Sequence, residues 1–322
     1  MLLMLTKQKG QSVDALHHDK SAMTALMAAS SNGSLTVLHI ILEAGAKVNQ
    51  RNSDGVTALM HASVIGHAEV VRELIARGAD LSATDNDGFD ALIAAATGGS
   101  AEACASCRNH RALPAFPRLA SHLHPHLRSH LYSQVCQLLV DKGLDVNVMA
   151  GSGGSPLMIA ARTGAADAVR ILLDAGATVD ALAKPSEAFV QEIAGLHAQD
   201  DATLDETTAE AKRQRLDAFF EEGSTALMYA AALGHREIVS MLVAAGASAR
   251  LKDKDGQSPL VHAANMGAVA IADELITKAN ADPNDTTGTG VPLLINAIAS
   301  VAVTPGAEAL ADLLIKHGAD PN

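Results

Sequence analysis

One spacing, 33 residues, constrains this chain more than any other feature. Leucines recur at Leu26, Leu59, Leu92, Leu157, Leu227, Leu260 and Leu293, and four of the six intervals are 33. The two long intervals, 65 and 70, are two further periods extended by inserted sequence. A glycine follows each of the first six leucines by seven residues: Gly33, Gly66, Gly99, Gly164, Gly234 and Gly267. A period of this size marks a stack of supersecondary units rather than one deep globular core. Composition agrees. Ala, Leu, Val and Ile supply the apolar half of the chain, while Trp is absent and only five Phe and two Tyr occur. Such side chains suit thin, closely packed helices.

Each unit reads as helix, turn, helix, loop. In the second, Thr57 is a good N-cap, able to satisfy an amide of the first helical turn. Ala58 to Ile65 then form a short helix that buries Leu59 and Ala62. Gly66 and His67 turn the chain, because glycine readily takes the left-handed conformation that ends a helix. Val70, Val71, Leu74 and Ile75 form one stripe of a second helix. Gly78-Ala79-Asp80 stops it. Neither helix buries its apolar face alone; stacking on the next unit does so.

These residues resemble the ankyrin repeat, whose signature is Thr-Pro-Leu-His-x-Ala. Thr57-Ala58-Leu59-Met60-His61-Ala62, Ser258-Pro259-Leu260 with Ala263-Ala264, and Gly234-His235-Arg236-Glu237-Ile238-Val239 carry the likeness. The loops Gly45-Ala46-Lys47-Val48-Asn49 and Gly318-Ala319-Asp320-Pro321-Asn322 extend it. The resemblance implies an all-α ankyrin-repeat solenoid of about seven helix-turn-helix repeats with two insertions. The repeats fall near 19–51, 52–84, 85–149, 150–182, 220–252, 253–284 and 285–322. Residues 1–18 read as an N-terminal cap or the tail of a preceding repeat, and Asn322 falls mid-hairpin. The family's His after Pro-Leu is replaced here by Met27, Met60, Ile93, Met158, Met228, Val261 and Leu294. Apolar packing is expected to stand in for its hydrogen bonds.

The first insertion, residues 103–134, is expected to interrupt the second helix of the third repeat, which resumes at Val135. It carries four Arg and five His but no Lys, Asp or Glu. Cys104, Cys107, His122 and His126 come near zinc-finger spacing, but Pro125 would sit inside the ligand-bearing helix. A finger, a disordered loop and a translated intron are the three readings, and no metal site is assigned. The second insertion, residues 183–219, reads as a helical pair built on Phe189, Ile193 and Leu196, then on Leu216, Phe219 and Phe220. It either covers its own apolar stripe or docks a partner.

A net charge of −12 argues against a nucleic-acid partner. No apolar stretch approaches the ~20 residues of a membrane span. Three cysteines in a chain this long do not form a disulfide framework, so a cytoplasmic or nuclear compartment is expected. Gly151-Ser152-Gly153-Gly154-Ser155 lacks the lysine of a phosphate loop. No cofactor, small-molecule substrate or catalytic group is expected. The resemblance implies a protein partner held along the concave side by hairpin tips and first helices. Carried over by register, that surface comprises Asp54, Val56, Val64 and Ile65, then Asn86, Asp87 and Phe89. It continues through Glu222 and Leu233 to Asp255, Gln257 and Met266. The function expected is an interaction scaffold or adaptor. The alternative is the repeat portion of a larger kinase or ubiquitin ligase.

Overall fold

The computed structural model describes residues 14, 23–97, 125–197, 220–299 and 306–320. These residues form seven helix pairs and one additional helix. In unit 1, comprising Met1–Ser152 and Ser186–Phe219, α1 (Ala25–Ser31), α3 (Ala58–Ile65) and α5 (Ala91–Ala96) stack as one row. Against them lie α2 (Leu35–Glu43), α4 (Ala68–Ala76) and α6 (Pro125–Asp141). In unit 2, Gly153–Pro185 with Phe220–Asn322, the first helices are α7 (Pro156–Thr163), α10 (Ala226–Ala232), α12 (Pro259–Asn265) and α14 (Leu293–Ala299). Their partners are α8 (Ala166–Asp174), α11 (Arg236–Ala244), α13 (Val269–Ala279) and α15 (Ala307–Lys316). The extra helix, α9, spans Glu187–His197. Among the described residues there is no strand, only an isolated bridge between Thr286 and Pro292.

First helices start where the sequence places hydroxyl or carboxylate caps. Thr24, Thr57, Ser155, Thr225 and Ser258 each accept a hydrogen bond from the amide three residues on. Two of the methionines that replace the family's histidine do more than pack. The Sδ atoms of Met27 and Met228 accept from the amides of Thr24 and Thr225, both at 3.4 Å. A thioether is a weak acceptor, but it closes a reciprocal capping box at the start of each helix.

Asp90 caps α5 with a carboxylate where the other five caps are hydroxyls, accepting from the Ile93 amide at 2.8 Å. Burial pushes its pKa up to about 6, with the nearby Asp145 charge adding to the rise and backbone hydrogen bonds opposing it. A folded-state value above the unfolded value of ~3.9 means that the native state holds the proton more tightly. Its stabilising contribution is complete below about pH 4 and is lost as pH rises through about 6. Asp90→Thr should therefore flatten the pH 4–6 limb of the stability profile, gaining on the wild type by on the order of 2 kcal/mol between pH 4 and pH 7. Urea titrations across that range check it; an unchanged limb would refute the assignment.

Three turn glycines, Gly33, Gly66 and Gly164, are held by the following repeat. Gly33 has φ +68°, and a Cβ there would fall 2.6 Å from the His67 imidazole. That ring donates to the Ser31 carbonyl at 3.0 Å, and burial lowers its pKa. His235 repeats the arrangement on Gly164, bonding to the Arg162 carbonyl at 3.2 Å. On Gly66 the place of the histidine is taken by Leu131 and Tyr132. Tyr132 is buried and stands in the register of His67, with Val135, Cys136 and Leu139 buried in the register of Val70, Val71 and Leu74.

That register corrects the expectation for the first insertion. Helix α6 does not resume at Val135. It begins at Pro125, more than two turns ahead of the position where α4 begins in its own repeat. The last ten residues read as inserted, 125–134, are therefore helical and continuous with Val135–Asp141. Pro125 opens that helix, where its missing N–H costs nothing, rather than breaking it. Cys104, Cys107 and His122 lie outside the described residues.

Second helices are joined by polar clamps. Glu73 reaches Arg77 one turn on (2.9 Å) and His39 of the preceding repeat (3.3 Å). Glu274 likewise takes Lys278 at 2.9 Å and Ser240 of the preceding repeat at 2.7 Å. Burial pushes the Glu274 pKa up, but the bonds from Lys278 and Ser240 and the charges of Lys278 and Arg236 outweigh it. The carboxyl is left below its ordinary range.

Candidate interaction surface

Three of the tips joining consecutive repeats are built by one device. The first residue of a tip accepts two amide hydrogen bonds on its side chain, and its own amide bonds back across the tip. Asn52 Oδ1 accepts from the amides of Asp54 (3.0 Å) and Val56 (2.8 Å), and the Asn52 amide donates to the Val56 carbonyl. Asp85 does the same for Asp87 and Phe89, and Asp253 for Asp255 and Gln257. Neighbouring tips then bond to each other. The Asn86 amide donates to the Asp54 carbonyl (2.9 Å), that of Gly151 to Asp87 (2.7 Å), and that of Lys254 to Glu222 (3.1 Å).

Loop ends are tied by a second recurring bond. Asn49 Oδ1 accepts from the Asp80 amide, Asp180 from Ser248, and Asn284 from Asp320. Asp14 makes the same bond to Lys47, at 2.8 Å.

The second insertion enters one of these tips. The amide of Ala183 donates to the Ser224 carbonyl (2.8 Å) and that of Gly223 to the Ala183 carbonyl (2.9 Å). These are the bonds that Asn52 makes with Val56 and Gly55. Residues 184–222 thus stand where the second repeat has only Ser53 and Asp54. Pro185 and Phe220 press on the glycine-rich loop: a Cβ on Gly153 would meet the Pro185 nitrogen at 2.6 Å, and one on Gly154 would meet the Phe220 ring at 2.5 Å. Close packing, not phosphate, accounts for those glycines.

Phe220 is fully buried, edge-on to Tyr229 (centroids 5.0 Å apart) and beneath the Arg162 guanidinium at 4.1 Å. It precedes Tyr229 by the nine residues that separate Asp253 from His262, whose side chains are 2.8 Å apart. An aromatic pair has replaced a polar one. The Tyr229 hydroxyl accepts from the Glu221 amide at 2.9 Å. Phe220 lies in loop, whereas Leu216 and Phe219 lie outside the described residues. Helix α9 forms with Phe189 buried.

Three expected surface residues are not on the surface. Val56 and Phe89 close their tips, and the bonds back to Asn52 and Asp85 turn both side chains inward; they are 4 % and 8 % exposed. Val64 is 1 % exposed, because α3 packs against α1, α4, α5 and α6 and keeps no solvent face there. Ile65 is half-buried, as are Asp54, Asp87 and Gln257. Asn86 is exposed, but its side chain donates to the Ser53 carbonyl at 3.1 Å.

In unit 2 the expectation fares differently. Leu233 is 49 % and Met266 60 % exposed, at matching positions one period apart, with Glu222 and Asp255 exposed on the tips. The sequence reading missed Ile295 (46 %) and Ile298 (56 %) on α14, and Val291 just before it. Register was the available signal, since Ile298 falls one residue short of the Leu233 and Met266 position. The Asn265 amide group donates to Gln257 Oε1 at 3.2 Å, joining a tip to its first helix.

A family model described as ankyrin repeats in three copies matches residues 26–107 and 198–287. The chain belongs to the ankyrin repeat family. A single-repeat ankyrin model also matches residues 152–184. The ankyrin repeat domain of human ASB11 superposes with a TM-score of 0.62 at 17 % identity, covering 93 % of this chain and 100 % of that one. At that identity the likeness concerns the fold. Among curated proteins, the Drosophila melanogaster ankyrin repeat and KH domain-containing protein mask is 31 % identical over 127 residues. The matched region is 39 % of this ankyrin chain and 2 % of that relative's length. Among the described residues no helix is long and apolar enough to cross a membrane, and no three metal-ligating side chains gather.

Proposed function

We propose that the chain is an interaction scaffold or adaptor that holds a protein partner on the first-helix face of unit 2. One observation carries the reading: Leu233 and Met266, at the C-caps of α10 and α12, and Ile295 and Ile298 on α14 stand exposed in three successive repeats. Apolar side chains gathered on one face and edged by polar tips are the usual make-up of a protein-binding surface. Ankyrin repeats in general mediate protein–protein contacts, which supports the class of function.

The test is a photo-crosslinking residue placed in turn at Met266, Ile298 and Ile315, the last exposed on the second helix α15. Met266 and Ile298 should each yield the same protein adduct, and Ile315 should not. The unirradiated variants should melt within about 2 °C of wild type, since exposed substitutions rarely exceed ~0.5 kcal/mol. An adduct formed from Ile315 alone would place the partner on the opposite side and end this reading.

A further inference from the structure

We infer that the occupant of the unit 2 face is a basic amphipathic helix laid across α10, α12 and α14. The inference rests on the reading that this face binds protein. The face offers apolar anchors but no strand edge: the only backbone bridge among the described residues is Thr286–Pro292. An extended segment would leave its amides and carbonyls without partners there, whereas a helix satisfies its own. Spacing agrees. Packed helices lie roughly 8–10 Å apart, and a helix climbs about 10.5 Å in seven residues at 1.5 Å each. Apolar side chains one heptad apart would therefore meet Leu233, Met266 and Ile298 in turn, with those three or four residues on reaching Ile295.

Charge decides the flank of that helix. Unit 2 holds fifteen Asp and Glu against nine Lys and Arg. On the tips that lead into α10 and α12, Glu222 and Asp255 are exposed, and the bond from the Lys254 amide to the Glu222 carbonyl holds the two tips together. Of the cations on these tips, Lys184 is exposed, and the others are engaged. Lys252 is 2.6 Å from Asp285, the Arg162 guanidinium lies over Phe220, and Lys254 has a contact of its own. His262 is bonded to Asp253. The rim thus attracts lysine or arginine, and a like-charged helix is repelled.

The experiment uses the full chain and two synthetic peptides of about three heptads with the same leucine face, one flanked by lysine and one by glutamate. Binding is read by fluorescence anisotropy at low and at moderate salt. The lysine peptide should bind at least about tenfold tighter than the glutamate peptide. Met266→Ser with Ile298→Ser should weaken it about tenfold. Glu222→Gln with Asp255→Asn should weaken it about fivefold, mostly in association rate. Glu308→Gln with Asp312→Asn removes the same charge from α15 and should change binding less than about twofold. If the α15 variant matches the tip variant, the rim plays no particular part and the inference fails. Equal binding of both peptides, still dependent on Met266 and Ile298, keeps the face but overturns the basic helix. Binding that ignores Met266 and Ile298, or no binding at all, overturns the inference, and the crosslinks from Met266 and Ile298 then judge the face independently.

Discussion

Phe220→Ala is expected to lower the unfolding free energy by about 3–5 kcal/mol, the usual cost of emptying a buried aromatic site. The ring is fully buried among Gly154, Arg162 and Tyr229. Collapse around the void is limited, because Gly154 contributes no side chain and the tip is pinned by the Ala183–Ser224 and Gly223–Ala183 bonds. The edge-on Tyr229 contact, typically worth about 0.5–1.5 kcal/mol beyond area, is lost as well. Urea unfolding checks the value, and a second substitution checks the cause. Gly154→Val should be destabilising alone, since its Cβ meets the ring at 2.5 Å, yet much less so once Phe220 is alanine. Additive effects, or a loss under about 1 kcal/mol, would mean that the two do not share this space.

Phe89→Ala should cost a comparable ~3–5 kcal/mol, and should leave partner capture by the folded fraction unchanged. The side chain is 8 % exposed, and its backbone is tied to Asp85 through both amide and carbonyl. Phe89 is thus expected to anchor its tip to the stack rather than to touch a partner. Thermal melts paired with the crosslinking assay separate the two roles. A variant that melts normally but no longer forms the Met266 adduct would return Phe89 to the binding surface.

Tip insertions of this kind are tolerated because the tip closes on itself. Ala183 and Gly223 keep the hydrogen bonds of an ordinary tip although 39 residues, 184–222, intervene between them in the sequence. Closing a longer loop costs little once its ends are held, each doubling adding only about 0.6 kcal/mol. Membership of the ankyrin family therefore survives an interruption as long as a full repeat.

How much of this was legible in the sequence follows from the range of the interactions involved. The 33-residue period, the caps Thr24, Thr57, Ser155, Thr225 and Ser258, and the helix stripes could be read directly. They depend on contacts three or four residues apart, which the chain carries locally. Leu233 and Met266 emerged on an exposed face because register places them beyond the last buried position of their helices. Val56, Val64 and Phe89 did not, and only the tertiary structure could say so. Whether a residue at a given register meets solvent depends on side chains of other repeats and on how each tip folds back. Asn52 and Asp85 turn Val56 and Phe89 inward by bonds that periodicity does not record, and Val64 is buried on α3, which packs against four helices. The helix from Pro125 was likewise beyond the sequence pattern, with Tyr132 seated on Gly66 where a histidine serves Gly33 and Gly164. Sequence determined what repeats here; the stacking of one repeat on the next decided which residues remain free to meet a partner.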